Sequence, residues 1–262
     1  QPVDPCRLLA DTLTEIPGGA GAFTDFVPPN PIVPAVSGVL IAFWGAGDGQ
    51  QGLYLYDSAV PEDPIRPLAD TATLIPVAGG VGAFASFERL ALDEAGGLAF
   101  VGGGMVTFGD PASDTSVTLQ VKGVYTRIGE VLATVADSFT PIPAGSGDFS
   151  DFGAVTMDPG DVVFVGYGEG GQKGLYTNLG GTLAKVIAVG DAIGGNLVTD
   201  LGLGQRPGRR LQAQEYGADQ DAARVRRGPG DHRHPPPADC QGEQRDLHRH
   251  PDRRHPDRRR HH

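Results

Sequence analysis

Histidine is missing from the first 204 residues of this chain, and cysteine occurs twice in 262, at Cys6 and Cys240. Neither cysteine has a local partner, so no disulfide framework and no CxxC metal site can be read from the spacing. Without His, and with lysine only at 122, 173 and 185, those 204 residues lack the usual Ser-His, Cys-His or lysine-based nucleophilic sets. No apolar run approaches the roughly 18 residues of a membrane-spanning helix. No apolar stretch keeps a helical period over ten or more residues either, which argues against a helical fold. A signal peptide is absent too, and the chain opens on Gln1, as expected of a processed or truncated start.

What is present repeats. Gly19-Ala-Gly21-Ala-Phe23-Thr-Asp-Phe26 returns as Gly80-Val-Gly82-Ala-Phe84-Ala-Ser-Phe87 and again as Gly145-Ser-Gly147-Asp-Phe149-Ser-Asp-Phe152. Each copy follows an Ala-Asp step (Asp11, Asp70, Asp137) and an Ile-Pro step (Ile16, Ile75, Ile142). Each precedes an apolar run ending in Phe (Phe43, Phe100, Phe164) and a Gly-aliphatic-Tyr triplet (Gly52 to Tyr54, Gly123 to Tyr125, Gly174 to Tyr176). Three matching copies make this a tandem-repeat protein, with repeats at about 8–66, 67–132 and 133–187 and a partial fourth at 188–204. The Gly-x-Gly is no phosphate loop, for it lacks a third glycine and a following Lys-Ser/Thr.

Short apolar runs bounded by Gly, Pro and Asp read as strands and turns. Residues 154–157 with 162–165, and 90–92 with 98–101, form hairpins on this reading. The Gly-aliphatic-Tyr segment adds a third strand, and the run into Ala-Asp a fourth. Four strands in about sixty residues is the content of one propeller blade. The expected fold is therefore all-β: a β-propeller-like array of three blades and a partial fourth in 1–204, too few to require closure.

Charge divides the chain near residue 204. Residues 1–204 carry a net charge of −16 and 205–262 a net of +5, which together give the overall −11. The tail holds every histidine and fourteen arginines but no Lys, Ile or Phe. It cannot bury enough apolar surface to offset its chain entropy, so disorder is expected. Three readings of it compete: a nucleic-acid-binding arm, a metal site at His232, His234, Cys240, His248 and His250, and a stretch translated out of frame. The third is favoured, because this composition is what a GC-rich gene yields in the wrong frame and the change coincides with the end of the repeat. An acidic body also repels phosphates, so no nucleic-acid partner is expected.

Residues common to all repeats build the scaffold; selectivity must come from what differs. The repeated Asp11, Asp70 and Asp137 read as turn caps rather than Ca²⁺ ligands, since each stands without a D-x-D-x-D cluster. No catalytic residue and no cofactor is assigned; Ca²⁺ is the one weak candidate, and the metal question stays open. The paired phenylalanines read as core rather than sugar-stacking platforms. Two departures stand out: the sole tryptophan, Trp44, and an insertion between Phe100 and Gly123 containing Asp110 and Asp114. The insertion, residues 102–122, is expected to be a long loop, and Trp44, Asp110 and Asp114 are the candidate ligand contacts.

The succession Ala-Asp, Ile-Pro, Gly-x-Gly-x-Phe-x-x-Phe, apolar-Phe and Gly-aliphatic-Tyr resembles the bacterial choice-of-anchor tandem-repeat proteins, which carry PEP-CTERM-type or other sorting anchors. The resemblance spans residues 8 to about 204. It implies an exported, surface or extracellular protein with a non-enzymatic binding or scaffold role, whose partner is an extracellular ligand, a glycan or another surface protein. The alternative is a secreted propeller enzyme acting on polysaccharide. The two differ in whether carboxylates converge in a cleft.

Overall fold

A computed structural model describes residues 8–29, 32–110 and 115–202, and the expectation of a disordered tail at 205–262 lies outside them. The fold is all-β. Fifteen strands and two single 3₁₀ turns are its regular elements, with no α-helix among the described residues. The strands make three antiparallel sheets and a terminal hairpin, and one sheet curls into a half-barrel.

Sheet 1 is a meander of β1 (Ala35–Ser37), β2 (Leu40–Gly47), β3 (Gln50–Asp57) and β4 (Ile65–Asp70). Sheet 2 contains β5 (Gly80–Val81), β6 (Ser86–Leu92), β7 (Leu98–Phe108), β8 (Val117–Ile128) and β9 (Val131–Asp137). Sheet 3 runs β10 (Phe149–Asp158), β11 (Asp161–Gly168), β12 (Lys173–Thr177) and β13 (Ala184–Ala188). A hairpin of β14 (Ala192–Ile193) and β15 (Asn196–Leu197) follows. Both hairpins read from the sequence form, with Met157 opposite Val162 and Leu92 opposite Leu98.

The turns follow from their residues. Asp48 and Gly49, both at positive φ, close β2 onto β3 in two residues, matching the twist of the strands they join. Pro159-Gly160 does the same for β10 and β11, proline presetting φ and Gly160 accepting +78°. Each Asp of the Ala-Asp step ties its own turn. In the third, the Asp137 amide donates to Thr140 Oγ1 (2.9 Å), while Asp137 Oδ1 accepts from Thr140 Oγ1 (2.8 Å) and the Phe139 amide (3.0 Å). Asp11 with Thr14 and Asp70 with Thr73 repeat the arrangement. The acids act as caps, and the threonine three residues on completes each cap.

Because side chains alternate across a strand, each sheet has two unlike faces. One carries a four-ring cluster: Phe23, Phe26, Phe43 and Tyr54 on sheet 1, Phe84, Phe87, Phe100 and Tyr125 on sheet 2, Phe149, Phe152, Phe164 and Tyr176 on sheet 3. The other face carries aliphatic side chains, joined on sheet 1 by Trp44, and packs on the next sheet's rings. Ala42, Trp44, Leu53 and Leu55 of sheet 1 share one core with Phe84, Phe87 and Phe100, and Ala99, Val101 and Val124 of sheet 2 share another with Phe149, Phe152 and Phe164.

Glycine makes the ring clusters fit. A Cβ on Gly45 would lie 2.6 Å from the Phe23 ring, on Gly102 3.1 Å from Phe84, and on Gly166 2.5 Å from Phe149. Phe-x-Gly is thus a recurring requirement, recurring with the same spacing after Phe43, Phe100 and Phe164.

Candidate functional site: an apolar cleft beside a β-ribbon

The segment expected to be a loop is strand for most of its length. β7 and β8 pair without interruption from Leu98–Arg127 to Phe108–Val117, so the insertion lengthens a hairpin into a ribbon. The reason is compositional. Val106, Phe108, Val117, Leu119 and Val121 alternate with Thr107, Thr118 and Gln120, a period-2 pattern that supports pairing. Thr107 and Thr118 share a hydroxyl hydrogen bond of 2.9 Å across the polar face. At the ribbon's other edge β5 pairs with its end, Gly80 opposite Phe108 and Val81 opposite Thr107.

On the apolar face, Phe108 and Leu119 line a cleft of about 270 Å³ with Val77, Ala78, Phe139 and Asp137. Phe139 meets Phe108 edge to face at 5.4 Å and 88°. Phe139 and Leu119 are each 41 % exposed, so apolar surface remains open to a ligand. Asp137 is the cleft's one charged side chain, and its Oδ1 is engaged in the Phe139–Thr140 turn. Beneath it, burial and then the Asp137 charge push the Tyr125 phenol far above its ordinary pKa. Such a cleft favours apolar or aromatic groups, by removing their surface and its own from water.

Neither Trp44 nor Asp110, the sequence-derived candidates among the described residues, lines the ribbon cleft. Trp44 is 5 % exposed and packs between sheets 1 and 2. Trp44 also borders a second apolar cavity of about 170 Å³, with Leu9, Phe26, Pro28 and Phe43 among its walls. Asp110 is exposed just beyond β7, and Asp114 lies outside the described residues. Two carboxylates meet at Lys122, whose Nζ reaches Glu88 at 2.8 Å and Asp151 at 2.7 Å, linking β6 and β8 to β10. Among the described residues no three His, Cys, Asp or Glu side chains gather as a metal site.

The cleft residues carried signals that sequence reading passed over. Phe84 follows its aspartate by 14 residues, against 12 for Phe23 and Phe149; the excess places Val77 and Ala78 at the cleft. Phe139 stands where the other two turns have Leu13 and Ala72.

No protein-family model matches the chain, and no curated protein matches it.

Proposed function

We propose that this protein is a non-enzymatic binding or scaffold protein, exported to the bacterial surface or extracellular matrix, and that the ribbon cleft receives an apolar or aromatic group of its ligand. The observation that carries this reading is the cleft's make-up. Four of its six wall residues, Val77, Ala78, Phe108 and Leu119, come from segments of sheet 2 with no counterpart in sheets 1 and 3, and Phe139 replaces the Leu13 and Ala72 of the other turns; the ribbon walls rest on fully buried neighbours, Val106 and Val121. The polar groups that recur are instead consumed in turns. We read the three sheets as blades of a propeller-like array, with β14 and β15 opening a partial fourth. Support comes from the four-stranded meanders of sheets 1 and 3 and from the lead strands, β6 adjoining both β1 and β10. Export rests on the resemblance to the choice-of-anchor repeats.

Binding to glycan and surface-protein arrays tests the reading, with Leu119→Asp and Phe139→Ser as cleft variants. These side chains are partly exposed, so the variants should keep the wild-type circular dichroism while binding falls at least tenfold. Unchanged binding in both variants would remove the cleft from the function, and turnover of an arrayed polysaccharide would favour the enzyme instead.

A further inference from the structure

Strand β8 outruns the strand beside it. β9 pairs with it only over 123–128, and one further bond, from the Ser138 amide to the Lys122 carbonyl (2.9 Å), ends their contact. Over residues 117–121 the outer edge of β8 has no strand against it among the described residues. The ribbon's other edge is covered, by β6 against 98–103 and by β5 against Thr107 and Phe108. Backbone groups alternate sides along a strand. The amides and carbonyls of Thr118 and Gln120 therefore point outward, on the same side as the Lys122 carbonyl. Val117, Thr118, Leu119 and Gln120 are all exposed.

A bare edge is a template for another strand, and folded proteins usually blunt it with a charge, a proline or a bulge. Residues 117–121, Val-Thr-Leu-Gln-Val, hold no charge or proline and pair with β7 without a register shift. The first charge, Lys122, is tied to Glu88 and Asp151. The edge also adjoins the ribbon cleft, because Leu119 lines it.

We infer that an extended, basic segment of a partner protein adds to this edge as a strand, bonding the backbone of Thr118 and Gln120 and placing one apolar or aromatic side chain in the cleft. The inference rests on the cleft reading above and deepens it, selecting a protein segment over a glycan. Backbone bonds supply affinity for any sequence, and the cleft selects one side chain, because cross-strand neighbours share a face. Charge sets the sign of the segment: residues 1–204 carry −16, and Asp137 is the cleft's charged side chain. The same excess opposes pairing of two copies along this edge. Residues 205–262 are poor occupants, with one aromatic, Tyr216, and three aliphatic side chains larger than alanine, Leu211, Val225 and Leu247.

Selection of peptides by the full chain from a display library of random linear sequences tests this. Selected peptides should be basic, with an aromatic or aliphatic residue at a fixed position. N-methylation along such a peptide should cut binding at least tenfold at every second residue and spare those between. Gln120→Pro removes an outward amide at an edge position where proline is tolerated. It should weaken the same peptide at least tenfold with unchanged circular dichroism, and in the wild type the peptide should slow amide exchange at Thr118 and Gln120. A peptide lost by Leu119→Asp but held equally by Gln120→Pro, without the alternating N-methyl pattern, overturns strand addition and leaves the cleft reading standing. The reverse pattern overturns the cleft reading and this inference with it. A library that yields no binder, or protection of Thr118 and Gln120 that grows with protein concentration alone, also overturns it, the latter by naming a second copy as the occupant.

Discussion

Phe149 stands edge-on to Tyr176, ring centroids 4.9 Å apart and planes at 90°, and Phe23 meets Tyr54 with the same two values. The positive rim of one ring faces the negative face of the other, a favoured aromatic geometry. Glycine at 174 allows it, since a Cβ there would fall 2.6 Å from the Tyr176 hydroxyl. A register shift also falls between Leu175 and Tyr176, repeated between Leu53 and Tyr54 and between Val124 and Tyr125. The Gly-aliphatic-Tyr triplet is thus a packing device and a bulge site at once.

Replacing Phe84 by Ala should cost about 3–5 kcal/mol, because it empties the centre of a ring cluster shared with the aliphatic face of sheet 1. Gly166→Ala should cost about 1–3 kcal/mol by overpacking, as the added methyl meets the Phe149 ring. Urea unfolding checks both, and a neutral Gly166→Ala would show that the ring can yield.

Thr140→Val keeps the shape of its side chain but removes both hydrogen bonds with Asp137, a residue only 9 % exposed. A loss of about 1–3 kcal/mol follows from leaving a buried carboxylate less satisfied. Equal stability of Thr140→Val and wild type would refute the capping role.

Alkaline pH should destabilise the fold in two ways. Burial, then the Asp70 charge, raise the Tyr54 phenol to about 12. A raised folded pKa means stability that is complete below the unfolded tyrosine value near 10 and is lost as pH climbs toward 12. Lys122 behaves likewise: burial opposes its charge, but hydrogen bonds to Asp151 and Glu88 outweigh it and hold its pKa above the ordinary lysine value. Absorbance titration should show Tyr54 and Tyr125 ionising only with unfolding, and Lys122→Met should flatten the alkaline stability limb.

Trp44 is the sole tryptophan and nearly enclosed. Its emission should be blue-shifted and resist quenching by iodide, both properties vanishing in denaturant. Ready quenching in the native state would place it at the surface, as a ligand contact would require.

The strands, hairpins, turn chemistry and aromatic burial were legible in the sequence because each depends on neighbours within a few residues: period-2 alternation, Asp-Gly and Pro-Gly turns, and spacing repeated three times. Phe23, Phe84 and Phe149, read from that spacing as equivalent core positions, are all at most 2 % exposed. The threonine partners of Asp11, Asp70 and Asp137 were equally local, yet only hydrogen-bond geometry distinguishes them from ordinary turn residues.

The tertiary structure decided the rest. Trp44 looked selective because it is unique, but its side depends on the parity of β2, which turns it toward sheet 2 and away from solvent. The 102–122 segment looked like a loop because length alone cannot separate a loop from a ribbon; continuous cross-strand pairing does. The cleft gathers Val77, Phe108, Leu119 and Phe139 from four separate stretches, and no local pattern encodes that meeting. Local chemistry determined the elements, and the burial of one sheet's aliphatic face against the next sheet's rings determined which surfaces remained outside.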